Sequence, residues 1–143
     1  MNLEMFPLLT ISFVIYLVLT LVMPTGADGV AWYMQEIARL PLYSKDQWSI
    51  RWGDLFLVVS MGLLFIELVR ATKSGKESIT NHLLSFLLFI AVLLCFILAP
   101  GFGNSFFFLF LTMTLLDPMA GMVVTTQSAR RDLNIADKAS LLG

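Results

Sequence analysis

The chain has 143 residues, of which 58% are hydrophobic and 13% are charged, and its net charge is −1. A soluble domain usually carries about 25% charged residues, and a chain this short cannot bury so much apolar surface in one core. The composition therefore indicates a membrane protein, and the near-neutral charge excludes a nucleic-acid binder that works through a basic surface.

Candidate metal ligands and catalytic motifs are scarce. Cys95 is the single cysteine and His82 the single histidine, whereas thiolate or histidine metal centres need several such ligands. A lone histidine can ligate haem or chlorophyll, but near a membrane interface it more often caps or anchors a helix. The sequence contains no nucleophile motif and no phosphate-binding loop. We therefore expect a non-enzymatic protein without a metal or other cofactor.

Four apolar segments predict transmembrane helices, because crossing a hydrocarbon core of about 30 Å takes roughly 20 helical residues. In chain order they cover residues 6–23, 53–70, 79–99 and 106–126. The first segment lacks the basic flank of a cleaved signal peptide, so we expect it to remain as a helix. Open sheets cannot span lipid, and the alternation of a barrel strand is missing. The sequence thus predicts an all-α, single-domain membrane bundle of four transmembrane helices.

The connection between the first two predicted spans is long enough to hold an element of its own. Its apolar residues recur at helical spacing, which predicts a short amphipathic helix over residues 29–40 on the outer surface of the bilayer. Asp28 fits the start of this helix and Pro41 its end. The helix would be either a plain connector or a docking surface for a partner or lipid, with Trp32 and Tyr33 as anchors.

Aromatic and charged residues near the ends of the predicted spans are candidate anchors at the membrane interface. They are Trp32, Trp48, Arg51, Trp52 and Asp54.

The distribution of basic residues predicts the orientation of the chain. The side that would hold both termini has most of them: Arg70, Lys73, Lys76, Arg130, Arg131 and Lys138. The other side has Arg39, Lys45 and Arg51. We therefore expect both termini in the cytoplasm. The polar tail, residues 128–143, either extends the fourth helix or forms a loose end.

Ionisable residues inside the predicted spans are candidate functional residues, because a charge is costly in lipid. Glu67 lies about 21 Å along the second span and Asp117 about 16 Å along the fourth. Gly53, Ser60 and Glu67 recur at heptad spacing, and we expect their face to turn towards the other helices. Pro118, which follows Asp117, predicts a local bend.

We expect Glu67, Arg70, His82 and Asp117 to form a polar cluster in the cytoplasmic half of the bundle. One interpretation is a relay for protons or cations. The other is structural: Glu67 pairs with Arg70 or His82, and a protonated Asp117 bonds to a neighbouring hydroxyl. For four small helices the structural interpretation is favoured.

Three stretches carry a family resemblance: residues 48–55 (WSIRWGDL), 67–73 (ELVRATK) and 82–85 (HLLS). They resemble a group of small uncharacterised four-helix bacterial inner-membrane proteins, with Asp117 in the matching last helix. The first helix and its loop resemble the group only in hydropathy. The resemblance implies a multi-pass protein of the inner membrane, and it implies no activity and no catalytic residue.

Small size, missing catalytic motifs and short soluble segments predict a non-enzymatic accessory or scaffold subunit of a larger membrane complex. Its partners would be membrane lipid and other membrane subunits or a second copy of itself. The alternative is a proton- or cation-coupled transporter or channel subunit that uses Glu67 and Asp117. Against this alternative, only the fourth predicted helix shows a break, and no inverted repeat is visible.

Overall fold

The computed structural model describes residues 6–23, 25–26, 29–71 and 76–141. Within these ranges it contains four helices: α1 (Leu9–Val22), α2 (Trp52–Ala71), α3 (Lys76–Leu98) and α4 (Ser105–Leu141). Three of them, α2, α3 and α4, each contain a stretch long and apolar enough to cross a membrane.

Helix α1 is apolar but shorter than its predicted span. It has 14 residues, which corresponds to about 21 Å of helix, against a hydrocarbon core of about 30 Å. The four predicted helices are therefore present, and three of them reach the length that a crossing requires.

A β-hairpin follows α1 where the sequence predicted a surface helix over residues 29–40. Strands β1 (Glu36–Pro41) and β2 (Gln47–Arg51) pair antiparallel, after a short 3₁₀ turn, Trp32–Met34. The all-α prediction is therefore wrong for this segment, while Asp28, its proposed cap, lies outside the described residues.

The strand signal lies in the second half of the hairpin, where residues 47–51 (QWSIR) alternate strictly between polar and apolar side chains. The apolar spacing of β1 by itself also fits a helix. Because β2 forms a strand, it supplies hydrogen-bond partners for the backbone groups of β1. Pro41 ends β1, a position that proline tolerates because the strand lies at a sheet edge.

Helix α4 is the central packing element, because it contacts both α2 and α3, whereas α1 packs on α2. The inward face of α2 is the one that the heptad spacing predicted. Its buried residues recur every three or four positions: Gly53, Phe56, Ser60, Leu64 and Glu67. The predicted orientation of the Ser60 and Glu67 face is thus confirmed.

An aromatic cluster fills the half of the bundle next to the hairpin. Its members are Tyr16, Trp32, Phe56, Phe102, Phe107 and Phe110, all buried. The Tyr16 ring lies at the centre, with centroid distances of 4.7 Å to Phe107, 5.0 Å to Trp32 and 5.1 Å to Phe56.

Two hydrogen bonds satisfy polar atoms inside this cluster, as buried groups require. The Tyr16 hydroxyl donates to Asn104 Oδ1 at 3.2 Å, and Trp32 Nε1 donates to Thr20 Oγ1 at 3.1 Å. Asn104 Oδ1 also accepts the Phe107 N–H at 3.0 Å, which caps the start of α4. The connection between α3 and α4 is thereby fixed to α1.

Helix α4 continues through Pro118 and reaches Leu141. Of the two predictions for the polar tail, extension of the fourth helix is therefore the one that the described residues show.

Candidate functional site

A polar cluster occupies the half of the bundle opposite the hairpin. It consists of Glu67 from α2, His82 and Ser85 from α3, and Asp117 from α4, all buried. The exposed fractions of Glu67 and Asp117 are 2% and 1%. Three of the four residues predicted to converge therefore do so. Ser85 is an addition whose sequence signal was its position one turn after His82.

Glu67 binds the start of a neighbouring helix. Its Oε2 accepts a hydrogen bond from the Leu8 amide at 3.1 Å. Leu8 precedes α1 and offers no capping side chain of its own, so this amide would otherwise lack a partner. An anionic group is also favoured at the positive end of the helix dipole. Glu67 thus serves as the N-terminal cap of α1.

The surroundings of Asp117 differ from those of Glu67, because its carboxyl interacts electrostatically with polar side chains and not with a helix start. These groups are Glu67, His82 and Ser85. The Ser85 hydroxyl lies beside Asp117 but donates its hydrogen bond to the Asn81 carbonyl oxygen at 3.1 Å. Neither oxygen of Asp117 accepts a hydrogen bond of good geometry from the described residues.

Gly121 makes the approach of α3 to α4 possible at this site. A Cβ added to Gly121 would overlap the imidazole ring of His82. The sequence signal was the position of Gly121 one turn beyond Asp117, on a stripe that also holds Thr114. The glycine therefore sets how closely α3 approaches α4 at His82.

Arg70, the fourth residue of the predicted cluster, is exposed. The ion pair found within the described part of the chain joins Arg39 to Glu36, and Arg70 makes none with Glu67. The structure gives Glu67 the Leu8 amide as a hydrogen-bond donor, where the structural interpretation named Arg70 or His82.

The predicted interface anchors divide into two groups. Trp48 and Trp52 are about half exposed, whereas Trp32 is 6% exposed and belongs to the aromatic cluster. Trp32 therefore has little surface with which to anchor the chain. Asp54 Oδ2 accepts the Arg51 N–H at 2.8 Å, which fixes the start of α2 in the manner of a capping box.

The polar cluster offers proton chemistry more readily than metal chemistry. Across the described residues, no group of three or more His, Cys, Asp or Glu side chains is arranged to hold a metal ion. Two carboxyls, an imidazole and a hydroxyl are instead groups that accept and donate protons.

No protein-family model, curated protein or solved structure matches this chain.

Proposed function

We propose that the chain is a membrane-embedded subunit that takes up and releases a proton at the Glu67–Asp117 pair, as part of a proton-coupled transporter or channel. The observation that supports this is the burial of two carboxyls within electrostatic reach of each other. In a medium of low dielectric constant, two adjacent negative charges repel strongly. Such a pair holds one proton between them at low cost.

His82 supplies a second group through which the proton can pass. It lies in the same cluster, next to Asp117, and its two ring nitrogens allow it both to accept and to donate a proton. Glu67, the member that caps α1, connects proton occupancy to the position of that helix.

The setting proposed for this chemistry is a bacterial inner membrane that all four helices cross, with α1 antiparallel to α2, so that both termini lie in the cytoplasm. It rests on the apolar length of α2, α3 and α4 and on the excess of basic residues on the side that would hold both termini. The resemblance to small inner-membrane proteins also supports it.

The proton-binding proposal is tested directly by infrared spectroscopy of the purified protein in liposomes. We expect a band of a protonated carboxyl at neutral pH that is altered in both Glu67→Gln and Asp117→Asn. Glu36→Gln, on the exposed hairpin, is the matched control and should leave the band unchanged. Absence of the band, or a band that neither variant affects, would overturn the proposal.

A proton-flux measurement in the same liposomes tests the coupling. Uptake driven by a membrane potential should fall in Glu67→Gln and Asp117→Asn and persist in Glu36→Gln. Equal flux in all four proteins would exclude a relay through these carboxyls.

A purely non-enzymatic accessory or scaffold role is the second candidate, and the exposed side of the bundle favours it. Most residues of the three long apolar stretches are unburied within the chain. Gly62 of α2 faces outward with open space at its Cα, where another helix can approach closely. Purification in a mild detergent tests this role, because a stable monomer without bound partner proteins would contradict it.

A further inference from the structure

The register of the hairpin gives it one apolar face. Leu40 lies opposite Trp48, and Ala38 lies opposite Ile50. Because side chains alternate along a strand, all four project from the same side of the two-stranded sheet. The other side presents the pairs Arg39–Ser49 and Pro41–Gln47.

The described part of the chain leaves this apolar face largely uncovered. Leu40 is 44% exposed and Trp48 is 51% exposed. At the tip of the hairpin, Leu42 and Tyr43 are also exposed, Tyr43 completely. A contiguous apolar surface of this kind marks a site of contact with a partner or a membrane.

The position of the hairpin relative to α2 identifies that contact. Arg51 ends β2, and Trp52 begins α2 without an intervening residue. The Trp52 N–H donates to the Gln35 carbonyl oxygen at 3.1 Å, which also ties the start of β1 to the start of α2. Both strands are therefore held at the end of a 20-residue apolar helix.

A strand of five residues extends about 17 Å at roughly 3.3 Å per residue. When α2 crosses a bilayer, the hairpin can therefore reach no further than the headgroup layer and the water immediately above it. Tryptophan and tyrosine are enriched in that layer because each combines an apolar ring with a polar group.

The charges of the hairpin also fit a lipid surface. Two cationic residues of the hairpin, Lys45 and Arg51, form no ion pair within the described residues. Arg39, by contrast, forms an ion pair with Glu36 at 2.9 Å. In sequence, Lys45 is two residues from Tyr43 and Arg51 adjoins Trp52. Cations close to aromatic residues match anionic phosphate groups above an acyl-chain boundary.

We propose that the hairpin lies on the bilayer with its Leu40–Trp48 face inserted among the lipid headgroups of the membrane that α2 crosses. The hairpin is then a lateral anchor that fixes the depth of α2. This role does not depend on the proton chemistry of Glu67 and Asp117, which lie at the opposite end of the bundle.

The test compares the two faces of the hairpin in the full chain. In a Cys95→Ser background, Leu40→Cys on the apolar face and Gln47→Cys on the polar face are each labelled with an environment-sensitive fluorophore. The vesicles contain phosphatidylcholine and phosphatidylglycerol, with or without brominated acyl chains. We expect several-fold stronger quenching by brominated lipid at position 40, and stronger quenching by aqueous iodide at position 47.

Equal quenching by iodide at the two positions would overturn the proposal, because the hairpin would then stand in water. Protection of position 40 from both quenchers would also overturn it, since that result assigns the face to a protein partner or a second copy. A thermal unfolding curve for each labelled protein shows that the fold is retained.

Discussion

Gly121 and His82 are in such close contact that a single methyl group on the glycine would occupy the space of the imidazole ring. Gly121→Ala should therefore destabilise the protein by about 1–3 kcal/mol, the usual effect of overpacking. Unfolding in detergent, followed by circular dichroism, measures this effect.

The matched control for that substitution is Gly62→Ala, since a Cβ at Gly62 meets nothing within 4 Å. Alanine favours a helix over glycine by about 1 kcal/mol, so this variant should be as stable as the parent or more so. Equal destabilisation by both variants would contradict the close contact of Gly121 with His82.

Removal of the Glu67 carboxyl should loosen the start of α1. In Glu67→Ala the Leu8 amide loses its acceptor, and an unsatisfied buried group costs about 1–3 kcal/mol. Glu67→Gln keeps an acceptor oxygen and should lose less. Hydrogen exchange at the amides of residues 8–10 reports this directly, and unchanged exchange in Glu67→Ala would rule out a capping role.

The hydrogen bond between Tyr16 and Asn104 can be separated from the helix cap that Asn104 also provides. Tyr16→Phe removes only the hydroxyl and should cost about 0.5–1.5 kcal/mol. Asn104→Ala removes that bond and the cap of α4, which adds about 1 kcal/mol. The order of the two unfolding free energies is the measurement, and a larger loss in Tyr16→Phe would be the contrary result.

The Glu36–Arg39 ion pair predicts a pH effect confined to the hairpin. Hydrogen bonds from the Arg39 guanidinium hold the pKa of Glu36 below its ordinary value of 4.5. The folded form is therefore favoured above this value, and the contribution is lost as the pH falls through the lowered pKa. Because both side chains are exposed, solvent screening keeps the effect small.

Carboxyl NMR of Glu36 as a function of pH measures this shift. Arg39→Gln should return the pKa of Glu36 towards its ordinary value, whereas Lys45→Gln, in the turn, should have a smaller effect. A titration of Glu36 that Arg39→Gln leaves unchanged would contradict the pairing.

Periodicity along the chain was sufficient to predict the four helices and the inward face of α2. Ser60 and Glu67 recur on one face, and a helix must turn its polar face away from lipid and towards other helices. The order of the spans predicted that His82 and Asp117 would approach Glu67, because all three fall in the same half of the predicted bundle.

Contacts between distant parts of the chain were beyond such reasoning. The donor to the Glu67 carboxylate is the backbone N–H of Leu8, and no side-chain pattern in the sequence distinguishes this bond from a pairing of Glu67 with Arg70. The hairpin was missed because the apolar residues of β1 fit a helix as well as a strand. Only the non-local partner, β2, decides between them.

Helix α4 has a mechanical consequence for any event at Asp117. Its 37 residues form one helix from Ser105 to Leu141, about 55 Å long and therefore some 25 Å longer than the hydrocarbon core. Asp117 and the basic residues at positions 130 and 131 belong to this one continuous helix. If a change in protonation at Asp117 tilts or rotates α4, the end of the helix near Leu141 is displaced as well. In the proposed membrane setting, a change in protonation at the site would therefore be accompanied by movement of residues outside the bilayer.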